Sequence, residues 1–172
     1  MKRLRRLLLA LVLCGLAGPT QAQTPPDTIA FKTPEGLIRA LYDAVTFPAG
    51  RTPDWDYVRS MFIEEAVVVL RTSRDQTTVF SVEGFVEDFV TFIEQANVAE
   101  TGFTEEIITM KTMVFGDIAH SLVLFESSIP GGRPPSPGVD SFQLIRREGR
   151  WWIASVTNER PTAERPIPAE LQ

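Results

Sequence analysis

The sequence predicts an α+β domain, with helices covering one face of a bent antiparallel sheet. Three observations carry this expectation. The first hundred residues hold three capped amphipathic segments, and the stretch after Gly102 holds two pairs of long alternating runs. Each pair closes on a tight-turn signal, Gly116-Asp117 in the first and Glu148-Gly149 in the second.

The chain opens MKRLRRLLLALVLCGLAGPTQA. A basic patch (Lys2, Arg3, Arg5, Arg6) precedes an apolar run from Leu7 to Ala17 and the small-residue pattern Thr20-Gln21-Ala22, the layout of a secretory signal peptide cleaved after Ala22. The run is shorter than the roughly 20 residues a bilayer-spanning helix needs. Export to the periplasm or medium is the expected localisation, with no membrane attachment after cleavage. About 150 residues then remain, one ordinary domain that buries roughly 70% of its unfolded surface without a staple. Cys14 is the sole cysteine, so the mature chain has no disulfide. Four of the 17 basic residues lie in the leader, leaving 13 against 22 acidic residues and a charge near −9. That excludes nucleic acid as a partner and disfavours anionic lipid.

Residues 23–32 read as a linker. Thr33-Pro34-Glu35 starts the first helix, with Thr33 as N-cap, Pro34 at the first helical position and Glu35 against the positive end. Leu37, Ile38, Leu41 and Val45 form its apolar stripe. Asp54 caps a short second helix with Trp55, Val58 and Phe62 along one side. AVVVLR (66–71) is a β-branched strand, and TTVF (77–80) its short return. Ser81 caps a third helix bearing Phe85, Phe89, Phe92, Ile93 and Ala96 on one face, a stripe whose spacing serves core packing rather than a cofactor. Residues 103–115 and 118–129 form the first long hairpin, IPGGRPPSPG is a loop, and 138–159 form the last hairpin. The domain thus spans 33–160, with an extended proline-rich tail over 161–172.

Face assignment follows from the turns. With Gly116-Asp117 as a two-residue turn, Ile108, Met110, Thr112 and Val114 lie opposite Phe125, Val123, Ser121 and Ala119 on an apolar, helix-covered face. Ile107, Thr109, Lys111 and Met113 lie opposite Glu126, Leu124, Leu122 and His120 on a mixed face. In the last hairpin, Val139, Ser141, Gln143 and Ile145 share a face with Asn158, Val156, Ala154 and Trp152. Asp140, Phe142, Leu144 and Arg146 share the other with Thr157, Ser155, Ile153 and Trp151. Neither face is polar enough to lie open to water. Of the adjacent indoles, one packs inside the fold, and the other contacts a second subunit or the tail. A one-residue slip would exchange these assignments.

Two residues are candidates for proton transfer. His120, the only histidine, titrates near neutral pH. It sits on the mixed face and six residues from Glu126, about 20 Å along one strand, so the two form no dyad. Asp140, if its face turns inward, would be a buried aspartate with a raised pKa, able to act as a base. Ser121, Ser141, Gln143 and Asn158 are the expected polar lining of a pocket, with Tyr42, Trp55 and Trp152 as walls and Thr112 and Phe125 on the same helix-covered face. The competing reading is that the small hydroxyls bond their own backbone. Glu64-Glu65 and Glu105-Glu106 read as solvated or capping charges. One histidine and no mature cysteine leave no zinc spacing, so neither a metal nor a cofactor is expected.

AVVVLR after a short helix, FGDIAH with LFES, GVDSFQL and REGRWWIASV closing in ERP resemble the nuclear transport factor two-like superfamily, which includes the SnoaL-like domains. The resemblance spans about residues 34–160 and points to an uncharacterised exported branch. It implies a cone, a strongly bent antiparallel sheet wrapped around the N-terminal helices, with a pocket at the open end. It also implies a homodimer through the outer sheet face. Reaction does not follow from it, because the same fold hosts isomerases, dehydratases, cyclases, hydrolases and non-catalytic modules. No catalytic set of those enzymes matches this sequence residue by residue.

Three functions are therefore carried forward. The first is an exported module whose apolar pocket binds a small hydrophobic molecule. The second is a cofactor-free lyase, isomerase or hydrolase that uses a buried carboxylate. The third is a protein-docking dimer. A carboxylate inside the pocket within hydrogen-bond reach of a tyrosine or histidine would favour the enzyme.

Overall fold

The computed structural model describes residues 29–71, 75–132 and 134–172. The expected leader and the first part of the linker lie outside them. The last linker residues form a 3-10 turn, Ala30–Lys32, whose Phe31 is buried in the core.

Helix α1 runs Pro34–Val45, α2 Trp55–Arg59, α3 Val82–Gln95 and α4 Val98–Thr101. The three longest start on side-chain caps. Thr33 Oγ1 accepts from the Gly36 N–H (3.0 Å), Asp54 Oδ1 from Tyr57 (3.1 Å) and Ser81 Oγ from Gly84 (3.1 Å). Helix α2 is shorter than its apolar spacing suggests. Phe62 starts a strand instead, because the Ile153 N–H reaches the Met61 carbonyl (2.9 Å) and draws the chain into the sheet.

The strands are β1 (Phe47–Pro48), β2 (Phe62–Arg71), β3 (Thr77–Ser81), β4 (Gly102–Phe115), β5 (Ile118–Ser128), β6 (Ser136–Arg147) and β7 (Arg150–Glu159). They form one sheet in the order β1-β4-β5-β6-β7-β2-β3. Every pairing is antiparallel except β2 with β7. Both long hairpins close on two residues. Gly116 alone takes positive φ (59°) in the first turn, whereas Glu148 (55°) and Gly149 (76°) both take it in the second, the doubly left-handed form that matches strand twist.

Two irregularities in the long hairpins bend the sheet and reset its faces. Pairing in β4–β5 slips by one residue between Ile107 and Thr109, so Ile108 is the extra residue and is half-exposed. Pairing in β6–β7 slips between Gln143 and Leu144, with Ala154 as the extra residue. Such a bulge turns every residue beyond it to the opposite face. Near the turns the expected registers hold, with Thr112 opposite Ser121 and Ile145 opposite Trp152. Beyond the bulges they shift: Ile107, not Ile108, meets Phe125, and Asp140, not Val139, meets Asn158.

The core lies between α1, α3 and the concave side of the sheet, around Leu37, Ile38, Met61, Phe142, Leu144, Trp151 and Ile153. Gly138 opposes Phe125 in the ladder, and a Cβ there would fall 2.4 Å from the Phe125 Cζ. Gly138→Ala is therefore expected to cost about 1–3 kcal/mol by overpacking. Urea unfolding checks this; an unchanged midpoint would mean that the ring has room to turn. The tail ends in a 3-10 turn, Ala169–Leu171, that packs on β4 and β5. Leu171 is fully buried there, and Leu124 is buried too, its side chain alternating with those of Val123 and Phe125 and so pointing away from the core. The chain's own C-terminus thus occupies part of the outer sheet face.

Candidate functional site

A cavity of about 910 Å³ opens between α1, α3 and the concave sheet. Eight aromatic residues contribute to its wall. Phe85, Phe89 and Phe92 of α3 line it, in edge-to-face contact with one another and with Phe103. The α3 stripe therefore both packs and lines. Phe62, Phe125 and Phe142 complete the ring from the sheet.

Against this apolar wall sit two carboxylates. Asp140, on β6, accepts from the Tyr42 hydroxyl at Oδ2 (2.6 Å) and from Asn158 Nδ2 at Oδ1 (2.7 Å). Tyr42 projects from α1 and Asn158 from β7, directly across the ladder from Asp140. Burial raises the Asp140 pKa to about 6, against the opposing pull of both hydrogen bonds and the Arg160 charge. Burial also pushes the Tyr42 phenol far up, and the Asp140 charge adds to that. The phenol therefore stays protonated and acts as a fixed donor.

Glu105 is the second carboxylate. It lies on β4 across from Ser127, beyond the Ile108 bulge that turns it inward. The Thr46 hydroxyl, at the C-terminal cap of α1, accepts from the Glu105 N–H (2.9 Å) and donates to its carbonyl (3.2 Å). One helix thus fixes both acids, through Tyr42 for Asp140 and through Thr46 for Glu105. Burial, and then the charge of Asp140, raise Glu105 to about 8, with Arg160 opposing. At neutral pH one acid is mostly ionised and the other mostly protonated, the division of labour acid–base chemistry requires.

Of the residues expected from the sequence, the cavity wall holds Asp140, Tyr42, Phe125 and Asn158. The others lie off it. His120 is on the outer face, where Gln143 Nε2 lies 2.8 Å from its Nδ1. Gln143 shares that face, as does Ser141, which pairs with Leu122 and Thr157. Thr112 and Ser121 bond each other across β4–β5 (2.9 Å), and Ser121 is fully buried. Trp55 packs on Phe89 (centroids 5.4 Å apart) behind the lining. Trp152 lies outside, under the Arg150 guanidinium (3.7 Å), with its Nε1 donating to the Arg147 carbonyl (3.2 Å). Within the chain, the Arg150 guanidinium is the group stacked on that indole. The sequence suggests a solvated or capping charge at Glu105; the bulge instead turns this residue into the cavity wall.

No family model matches the sequence, and no curated protein does. Solved structures do match in shape. A Caulobacter vibrioides protein with a cystatin-like fold superposes with a TM-score of 0.58 at 15% identity, covering 76% of this chain and 88% of that one. A Pseudomonas putida NTF2-like protein gives 0.57 at 14% identity over 79% and 91%. A candidate ketosteroid isomerase from Shewanella frigidimarina gives 0.53 at 16% identity over 73% and 93%. At these identities the likeness is one of fold: this chain has the nuclear transport factor two-like fold.

Proposed function

We propose that the cavity carries out cofactor-free proton transfer on a small, largely apolar molecule, as an isomerase or lyase does. The observation that carries this reading is Asp140, a carboxylate in a phenylalanine-lined cavity held by Tyr42 (2.6 Å) and Asn158 (2.7 Å). Asp140 takes the proton from a carbon made acidic by a neighbouring carbonyl. Glu105, still protonated at neutral pH, donates to the oxygen on which charge builds. Tyr42 and Asn158 hold Asp140 in one orientation, and the ring of phenylalanines excludes water. Export, expected from the leader, places this chemistry outside the cytoplasm. The likeness to a candidate ketosteroid isomerase is consistent with a proton shift beside a carbonyl.

Binding without turnover is the second reading. It is favoured by the hydrogen bond that each Asp140 oxygen already accepts, as a purely structural aspartate would. The two readings part on deuterium exchange. Incubation of the protein in D2O with cavity-sized aryl ketones should exchange the protons beside the carbonyl, seen by NMR. No exchange with any ketone that binds would leave a binding module.

The pH dependence follows from the two acids. Catalysis needs Asp140 ionised and Glu105 protonated, so the exchange rate should rise with an apparent pKa of about 6 and fall with one of about 8. These values belong to the coupled pair. Glu105→Gln should remove the alkaline limb and leave the acid limb. A wild-type profile flat from pH 7 to 9.5 would remove Glu105 from the mechanism.

A further inference from the structure

Among the described residues the cavity wall contains two arginines, and they differ in their partners. Arg71 is committed, because its guanidinium pairs with Glu159, which also binds Arg165 of the tail (3.0 Å). Arg160 is not. Its guanidinium donates to the Ser136 hydroxyl (3.0 Å) and makes no ion pair with any described acid. An arginine has five N–H donors, and a carboxylate is the group that takes two of them at once. The backbone holds it in place, since the Arg160 N–H donates to Glu159 Oε1 (2.8 Å). Arg160 is exposed, follows the last residue of β7, and lines the cavity at its open end with Ser136 and Pro134. Its Cα lies about 7 Å along the strand from that of Asn158, the partner of Asp140.

The acids of the same wall do not make a matching site for a cation. Asp140 already accepts from Tyr42 and Asn158, Glu105 is mostly protonated at neutral pH, and Asp88, midway along α3, is exposed to solvent. A guanidinium with spare donors at the rim, above a phenylalanine-lined interior, is a site with two unlike ends.

We infer that the ligand is an amphipathic anion: a ring system or chain that fills the aromatic interior, with a carboxylate seated on Arg160 at the mouth. This rests on the reading of the cavity as the small-molecule site, and it adds the substrate class. It also sets an orientation, because a carboxylate on Arg160 leaves the adjoining carbons of the ligand to reach Asp140.

Three fluorescent probes with one ring system test it: pyrene-1-butyrate, pyrene-1-butanol and pyrene-1-methylamine, titrated into the mature chain and followed by pyrene anisotropy. Wild type should bind the butyrate about tenfold more tightly than the alcohol at low salt, with the preference shrinking as salt rises. Arg160→Gln should weaken the butyrate to the level of the alcohol and leave the alcohol unchanged. Because Arg160 is exposed, the variant folds, and circular dichroism checks that it does. Equal binding of butyrate and alcohol, tighter binding of the amine, or a preference that survives Arg160→Gln each overturns the inference while leaving the cavity as a small-molecule site. Binding of none of the three overturns both.

Discussion

Asp140→Asn leaves the protein folded and lowers deuterium exchange of a bound ketone by roughly 10²–10⁴-fold, the usual worth of a positioned acid–base group. The amide keeps the shape of the carboxylate and an oxygen for the Tyr42 hydroxyl to reach. It cannot take a proton from carbon. Stability moves the other way from activity. The raised pKa of about 6 means that the native state holds the Asp140 proton more tightly than the unfolded chain does. Ionising this carboxylate therefore costs stability progressively as pH rises from about 4 through 6. The cost is on the order of 2–3 kcal/mol above that window. The variant escapes it, so at pH 8 it should melt no lower than wild type. Exchange rates and melting curves at pH 5 and pH 8 decide the matter. Unchanged exchange would end the acid–base role, and a variant that melts lower at pH 8 than at pH 5 relative to wild type would show that Asp140 is a structural anchor.

The parts of this molecule legible in its sequence are those set by local chemistry. Thr33, Asp54 and Ser81 declare helix starts because each is a small acceptor three residues before an N–H it can reach. Gly116-Asp117 and Glu148-Gly149 declare the hairpins for an equally local reason. The site was harder to read because it depends on two bulges. Counting back from the turns places Asp140 opposite Thr157 and Glu105 on the outer face, and each bulge moves that count by one. There was a signal for the first bulge. Ile107-Ile108 sets two large apolar residues side by side where alternation calls for one, and the structure resolves the conflict by letting Ile108 out. Ala154-Ser155 gave no comparable signal, since two small residues suit either face. The sequence therefore offers an inward Asp140 only as an alternative, and nothing in it separates Glu105 from Glu106. Distance explains the rest. Tyr42 and Asp140 are 98 residues apart, and nothing short of the folded sheet brings them to 2.6 Å.

Trp151→Ala and Trp152→Ala should differ several-fold in cost. Trp151 is 4% exposed and packs in the main core, so its truncation removes a large side chain from a close-packed interior. Losses of this kind run to about 3–5 kcal/mol. Trp152 is half-buried on the other face and loses a guanidinium contact together with one hydrogen bond, from its Nε1 to the Arg147 carbonyl. An exposed cation–π contact is worth about 0.5–1 kcal/mol, so the total should stay near 1–2 kcal/mol. Arg150 makes this smaller loss specific. Its guanidinium lies between Trp152 (3.7 Å) and Phe31 (4.1 Å) and donates to the Ser60 carbonyl (2.6 Å). It therefore fastens the N-terminal turn and the end of α2 to the start of β7. Removing the indole should loosen that fastening, and the effects of Trp152→Ala and Arg150→Ala should overlap rather than add. Trp151→Ala, reporting on the opposite face, should add fully to either. Urea midpoints of the three single and three double variants measure all of this. Equal losses for the two tryptophans, or strict additivity of Trp152→Ala with Arg150→Ala, would mean that the adjacent indoles do not serve opposite faces of the sheet.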